Sequence, residues 1–133
     1  MSNSLYDSIR KDMLDGNFNW GSLTIKAVLV DSGVTGFNAS HVYRSSISSA
    51  EVGTAVALTG KSTTGGAADA ADTTFSSVSG ASCEAVVLFD DTGTPATSRL
   101  IAWIDSATGL PITPNGGDII VVWDNGTNKI FRP

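Results

Sequence analysis

The first segment of the chain has apolar residues at the spacing of one helix face. These residues are Leu5, Tyr6, Ile9, Met13 and Leu14. Three residues that cap helices precede or begin this stripe: Ser2, Asn3 and Ser4. Asp15 and Gly16 follow it, and glycine accepts the left-handed conformation that closes many helices. The pattern therefore predicts one short α-helix within residues 1–16.

From residue 23 onwards the period of apolar residues changes to two, which is typical of β-strands. The predicted strands are residues 23–30, 52–59, 73–78, 83–89, 99–105, 118–123 and 128–131. Residues 61–71 are rich in Gly, Ala and Thr and predict an exposed loop. Asn125-Gly126 suits a type I′ turn, so residues 119–123 and 128–131 are expected to form a hairpin.

Short strands joined mainly by hairpin-like connections favour an antiparallel arrangement. The predicted fold is mainly β: an antiparallel β-sandwich, with a jelly roll as one form of it, and one short N-terminal α-helix. A chain of 133 residues has the size of one domain with one core. We therefore expect a single domain, residues 1–133, with the helix in residues 1–16 and the sandwich in residues 17–133.

Two of the predicted strands, residues 99–105 and 118–123, are apolar on both faces. Strands of this kind are covered on both sides. One cover is expected to be the other sheet or the helix, and the second cover another protein. The alternative is an ordinary sandwich centre in which Trp103 is half exposed.

Charge excludes some classes of partner. Only 16% of the residues are charged, against about 25% in an average protein, and the net charge is −5. The densest group of cations is Arg10 and Lys11, so we expect no nucleic-acid binding.

No run of 18 apolar residues exists, so no membrane-spanning segment is predicted, and residues 1–16 lack the apolar block of a signal peptide. The single cysteine, Cys83, fits synthesis in a reducing compartment.

The sequence contains little material for catalysis or for a cofactor. His41 has no carboxylate near it in sequence, Cys83 begins an apolar strand, and Glu51 and Glu84 are the only glutamates. We expect no enzyme activity, no catalytic residues, no cofactor and no metal, since one His and one Cys cannot form a zinc site. Calcium held by aspartates at strand ends is the alternative, with these candidates: Asp90, Asp91, Asp105, Asp118 and Asp124.

Several segments together resemble the small virion-associated proteins of tailed bacteriophages. They are LYD at 5–7, LTIKAVLVD at 23–31, ALTGK at 57–61, AVVLFDDTG at 85–93, LIAWID at 100–105 and GGDIIVVWDNG at 116–126. They extend over nearly the whole chain and are patterns of strand and turn. The resemblance implies a β-rich fold that either cements the outside of a capsid or forms part of the tail or its fibres. It transfers no catalytic residue.

The resemblance, with the missing catalytic residues, predicts a non-enzymatic capsid cement or decoration protein that stabilises the shell from outside. It implies a location in the virion after synthesis in the bacterial cytoplasm, homo-oligomers, and a partner that is the major capsid protein or another virion protein. The alternative is a tail-fibre or other tail-associated receptor-binding or glycan-binding domain that uses Trp20, Tyr43 or Trp103.

The predicted protein interface lies in the N-terminal segment and on one strand. Its residues are Leu5, Tyr6, Ile9, Arg10, Lys11, Met13 and Trp103. A helix of about three turns is too short to be stable alone and must dock on its own sheet or on a partner. We expect that deletion of residues 1–15 leaves the β domain folded and weakens assembly or oligomerisation.

Overall fold

The computed structural model describes residues 4–105, 110–123 and 130–131. These residues contain one α-helix, α1 (Asp7–Leu14), and seven β-strands. The strands are β1 (Ser4–Leu5), β2 (Ile25–Val30), β3 (Glu51–Ala57), β4 (Thr73–Phe75), β5 (Ala85–Asp90), β6 (Arg99–Ile104) and β7 (Ile119–Val121). Short 3₁₀ helices occur at Arg44–Ser46, Ser48–Ala50 and Thr64–Gly66. The prediction of a mainly β chain with one short α-helix is confirmed.

The strands form two antiparallel sheets. The larger sheet has the order β1-β6-β5-β2-β3, and β4 pairs with β7 in the smaller one. The two edges of the larger sheet, β1 and β3, are not paired with each other, so this sheet is open. The predicted antiparallel pairing is confirmed.

The helix begins later than the apolar spacing predicts. Ser4 and Leu5 pair with β6 and extend the larger sheet, and Tyr6 still has extended backbone. The helix is therefore α1 alone, shorter than the predicted 1–16, because sheet pairing satisfies the backbone of Ser4 and Leu5. Residues 1–3, which include two of the predicted caps, lie outside the described residues.

Both faces of the central strands are buried within the chain. All six residues of β5 and five of the six residues of β6 are buried. Segment 37–47 covers the face that carries Phe89 and Trp103. The ring of Phe37 lies 6.2 Å from that of Trp103, and the Arg44 guanidinium lies 4.5 Å from that of Phe89. Trp103 is consequently only 4% exposed, without any partner protein.

The smaller sheet leaves one apolar residue uncovered. Ile120 is 57% exposed, between the buried residues Ile119 and Val121, so the predicted two-sided burial does not hold for β7. The turn of the predicted hairpin after β7 lies in residues 124–129, outside the described residues. Phe131 forms a bridge with Ala68.

The predicted exposed loop, residues 61–71, is packed against the rest of the chain. Three of its alanines are buried: Ala67, Ala68 and Ala70. The indole N–H of Trp20 donates to the carbonyl of Asp69 at 3.2 Å, and that of Trp123 to the carbonyl of Ala71 at 3.1 Å. Alanine side chains are small enough to let the loop backbone approach these rings, which is why a segment without large residues is still anchored.

The edge strand β3 is interrupted by a bulge. Its register with β2 shifts within residues 52–56, where β3 contains extra residues. Gly53 lies in this stretch with φ of +75°, a conformation that favours glycine, and a Cβ atom there would lie 3.4 Å from Val78. No helix of the described residues is long and apolar enough to cross a membrane.

Candidate functional site

Cys83 and His41 do not form a catalytic pair. Cys83 is fully buried, and this burial raises the pKa of its thiol to about 11. The thiol is therefore protonated at neutral pH, whereas the thiolate is the nucleophile. His41 makes no side-chain hydrogen bond to the described residues, and its Nδ1 is buried without a partner. A Cys–His or Ser–His relay needs a hydrogen bond to the imidazole, whereas the Cys83 thiol donates to the carbonyl of Ala81.

The loop aspartates that the structure describes do not form a metal site. Three of them have other partners: Asp90 with Arg99, Asp91 with Lys26, and Asp118 with the backbone N–H of Ser77. The Lys26 ammonium, 2.9 Å away, lowers the pKa of the Asp91 carboxyl. Asp124 lies outside the described residues. Within the described part of the chain, no three His, Cys, Asp or Glu side chains are grouped so that they could hold a metal ion.

The predicted interface residues divide between the core and the surface. Four of them are buried in the core of the chain itself: Leu5, Tyr6, Ile9 and Trp103. Arg10 and Lys11 are exposed, and Met13 is half-buried. In the folded chain a partner can therefore reach only Arg10, Lys11 and Met13 of this set.

An aromatic cluster explains why the start of the chain is buried. The ring of Phe37 lies 5.1 Å from that of Tyr6 and 6.2 Å from that of Trp103. Tyr6 is fully buried, and its hydroxyl has no hydrogen-bond partner. Desolvation by this burial raises the pKa of Tyr6 above its ordinary value. The cluster fixes the beginning of α1 on the larger sheet.

Ion pairs fix the other end of α1. The guanidinium of Arg99, on β6, donates to Asp12 of the helix at 2.7 Å and to Asp90 of β5 at 2.8 Å. Lys11 pairs with Asp15 at 2.6 Å on the exposed side. Arg10, also exposed, forms no ion pair with the described residues. The inner side of α1 thus contacts the larger sheet, and its outer side is available for contact with a partner.

A largely apolar groove of about 320 Å³ lies beside the end of α1. Its lining residues are Met13, Phe18, Asn19, Trp20, Thr63, Gly66, Ala67, Ala68 and Phe131. The rings of Trp20 and Phe131 meet edge to face, with centroids 5.3 Å apart. None of these lining residues is charged, so the groove is chemically suited to an apolar group. Leu14, the residue after Met13, is 89% exposed.

The predicted protein interface includes Met13, but the sequence does not predict this groove. Phe18, Ala67 and Phe131 come from three distant parts of the chain, and only the fold brings them together. One signal was present in the sequence: Leu14 is an apolar residue directly before Asp15-Gly16, where the helix ends. An apolar residue in the last turn has no later turn of its own helix to pack against.

The aromatic residues proposed for glycan stacking are not equally accessible. Trp20 and Trp103 are 5% and 4% exposed, so their ring faces are covered by the chain. Tyr43 is 43% exposed and lies next to the start of β6, where it forms a bridge with Arg99. Of the three, only Tyr43 can present its ring to a ligand.

No protein-family model matches this chain, and no curated protein is significantly similar to it.

Proposed function

We propose that the chain is a non-enzymatic structural protein of a tailed-bacteriophage virion, which binds the outside of the capsid and stabilises the shell. The observation that carries this proposal is the resemblance in strand and turn segments, which extends over nearly the whole chain. The major capsid protein is its expected partner, and the protein acts as a homo-oligomer in the virion.

The proposal includes a finer description of the fold. We regard the larger sheet and the β4–β7 sheet as the two layers of a sandwich of the jelly-roll type. The contact between β3 and β4, at the edge of the larger sheet, supports this assignment. A layered β domain whose central strands, β5 and β6, are buried on both faces gives a stiff body, which suits a protein that reinforces a shell.

The surface chemistry supports a protein partner. Within residues 4–105, 110–123 and 130–131, four large apolar side chains are exposed: Leu14, Val34, Tyr43 and Ile120. Among the described residues, the lining of the groove beside α1 is uncharged and has no converging polar groups of the kind that orient a substrate in small-molecule sites. Leu14 lies beside this groove, and contiguous apolar surface is typical of contacts between proteins.

The first experiment is quantitative mass spectrometry of purified virions of the encoding phage. We expect a copy number in proportion to the capsid subunits. Capsids that lack the protein should break open at a lower temperature, and the purified chain should restore the higher one. Absence of the chain from virions, or capsids whose stability does not respond to it, contradicts the proposal.

The second candidate is a tail-associated domain that binds a receptor or a glycan, and the exposed ring of Tyr43 is the observation that favours it. Immunogold labelling of intact virions distinguishes the two candidates, since label on the capsid supports the cement role and label on the tail supports the alternative. On a glycan array, binding that Tyr43→Ala abolishes supports the tail role, while Tyr43→Phe, which keeps the ring, serves as the matched control. Loss of binding after chelation would indicate calcium.

A further inference from the structure

A protruding leucine and an apolar groove lie next to each other at the end of α1. Leu14 projects into solvent, 89% exposed, and the preceding residue, Met13, lines the groove. The groove volume of about 320 Å³ exceeds the roughly 150 Å³ of a cavity that accepts benzene, so a leucine side chain fits inside it. The surface thus carries both a projection and a recess of matching chemistry.

We infer that two copies of this chain associate about a two-fold axis through this surface, with Leu14 of each copy inserted in the groove of the other. A two-fold contact brings the same surface of both copies together. The Leu14 of each copy can therefore enter the groove of the other, so the insertion occurs twice in one dimer. Met13, Phe18 and Thr63, the more accessible residues of the lining, would contact the incoming Leu14, and apolar surface on both copies would leave water.

The charges around Leu14 are self-complementary. Asp7 and Arg10 are exposed on α1 and form no ion pair with the described residues, and Lys11 and Asp15 pair with each other. The outer side of the helix therefore has two charges of each sign, although the chain carries a net charge of −5. Two copies can approach here without net repulsion, and Arg10 of one copy can meet Asp7 of the other.

This inference names the surface of the homo-oligomer in the proposed function and rests on that function only for its biological setting. The dimer is a property of the purified chain, so it can be measured without virions. A monomeric chain that is found on capsids overturns the dimer alone, and a dimeric chain that is absent from virions overturns the virion role alone.

Sedimentation equilibrium of the purified full chain tests the contact. Leu14→Gln keeps a helix-forming side chain but makes the projection polar, and it should raise the dimer dissociation constant at least about tenfold. Val34→Gln, at an exposed apolar residue away from the groove, should leave the constant unchanged. Circular dichroism and the melting temperature confirm that both variants are folded, as the exposure of Leu14 and Val34 leads us to expect.

A second variant blocks the groove instead of the projection. Thr63 lines the groove and is exposed, so Thr63→Glu introduces a carboxylate that an entering Leu14 would have to desolvate. It should raise the dissociation constant at least about tenfold, like Leu14→Gln. Thr54→Glu, at an exposed residue of β3, introduces the same charge elsewhere and should have no effect.

Mixing the two variants shows whether the projection enters the groove. The Leu14→Gln copy keeps its groove and the Thr63→Glu copy keeps its leucine, so a mixed dimer regains one of the two insertions. Heterodimer formation stronger than either self-association supports the inference.

Three results overturn the inference: a wild-type chain that is monomeric at its highest soluble concentration, a dimer that Leu14→Gln does not weaken, and a mixture that regains no association. If the wild-type chain is monomeric and Leu14→Gln reduces its binding to capsids, the surface binds the shell and not a second copy.

Discussion

The hydroxyl of Tyr6 is an unsatisfied polar group in the core of the described residues. The side chain is fully buried between α1 and the larger sheet, and its oxygen has no hydrogen-bond partner. A buried donor without a partner loses its hydrogen bonds to water and gains none in return. The ring, in contrast, packs against Phe37. The aromatic ring of Tyr6 thus stabilises the folded state, while its hydroxyl group destabilises it.

We predict that Tyr6→Phe increases the free energy of unfolding by about 1 kcal/mol, because it removes the unpaired hydroxyl and keeps the ring. Urea denaturation followed by tryptophan fluorescence measures the change. Tyr43→Phe, at an exposed tyrosine, is the matched control and should leave the stability unchanged. A loss of stability in Tyr6→Phe would mean that the hydroxyl has a partner in solution.

The same residue predicts a dependence of stability on pH. In the unfolded chain Tyr6 ionises near its ordinary pKa of 10.0, whereas burial raises its pKa in the folded chain. Above about pH 10 the unfolded state therefore loses the proton first, and the stability of the wild-type chain falls as the pH rises. Tyr6→Phe lacks this contribution. Its stability advantage over the wild-type chain should grow above pH 10, by at most about 1.4 kcal/mol per pH unit.

Two ion pairs of α1 differ in burial and should differ in their effect. Arg99 pairs with Asp12 and with Asp90, a carboxylate that is itself buried. Arg99→Met leaves that carboxylate without its cation, and we expect a loss of about 2 kcal/mol, less than for a fully buried pair because Arg99 is partly exposed. Lys11→Met breaks an exposed pair and should produce no measurable change. Urea denaturation of both variants checks the contrast, and equal losses would contradict it.

At the scale of elements, β1 and α1 belong to the core of the chain. Leu5, Tyr6 and Ile9 are buried, and each contributes about 1.5–3 kcal/mol by burial. Their sum is comparable to the total stability of a small domain, about 5–15 kcal/mol. This burial reverses the expectation from sequence alone that the β domain folds without residues 1–15.

We therefore predict that a chain lacking residues 1–15 is unfolded or strongly destabilised. Tryptophan fluorescence and circular dichroism of the purified fragment measure this directly. The double variant Arg10→Ala and Lys11→Ala changes only the exposed side of the helix and should remain fully folded. If the fragment keeps the stability of the complete chain, the N-terminal segment does not belong to the core.

The sequence predicted the strands better than the elements that pack on them. Alternating apolar residues located β2, β5 and β6 to within about two residues, because burial on a sheet imposes a period of two. The burial of the 61–71 loop could not be seen, since its anchors, Trp20 and Trp123, are distant in sequence. The groove beside α1 was missed for the same reason, as its walls come from three separate segments.

At the scale of the whole molecule, the buried residues form one continuous cluster that includes α1 and both sheets. The three tryptophans are all buried and lie in different parts of this cluster: Trp20, Trp103 and Trp123. We predict that the chain unfolds in a single cooperative transition, which is what the prediction of one domain over residues 1–133 implies. Fluorescence and far-ultraviolet circular dichroism should give the same midpoint in urea. Two separated midpoints would show that the sheets unfold independently.

The bulge in β3 reduces the tendency of the protein to aggregate when many copies are close together. Straight sheet edges with unpaired N–H and C=O groups recruit further strands and lead to aggregation. In the described residues one edge of the larger sheet is only two residues long, and the other is broken at Gly53. The net charge of −5 keeps copies apart by electrostatic repulsion, but salt screens this protection. The irregular edge provides that protection by shape, so many copies can gather at high density without fusing into fibrils.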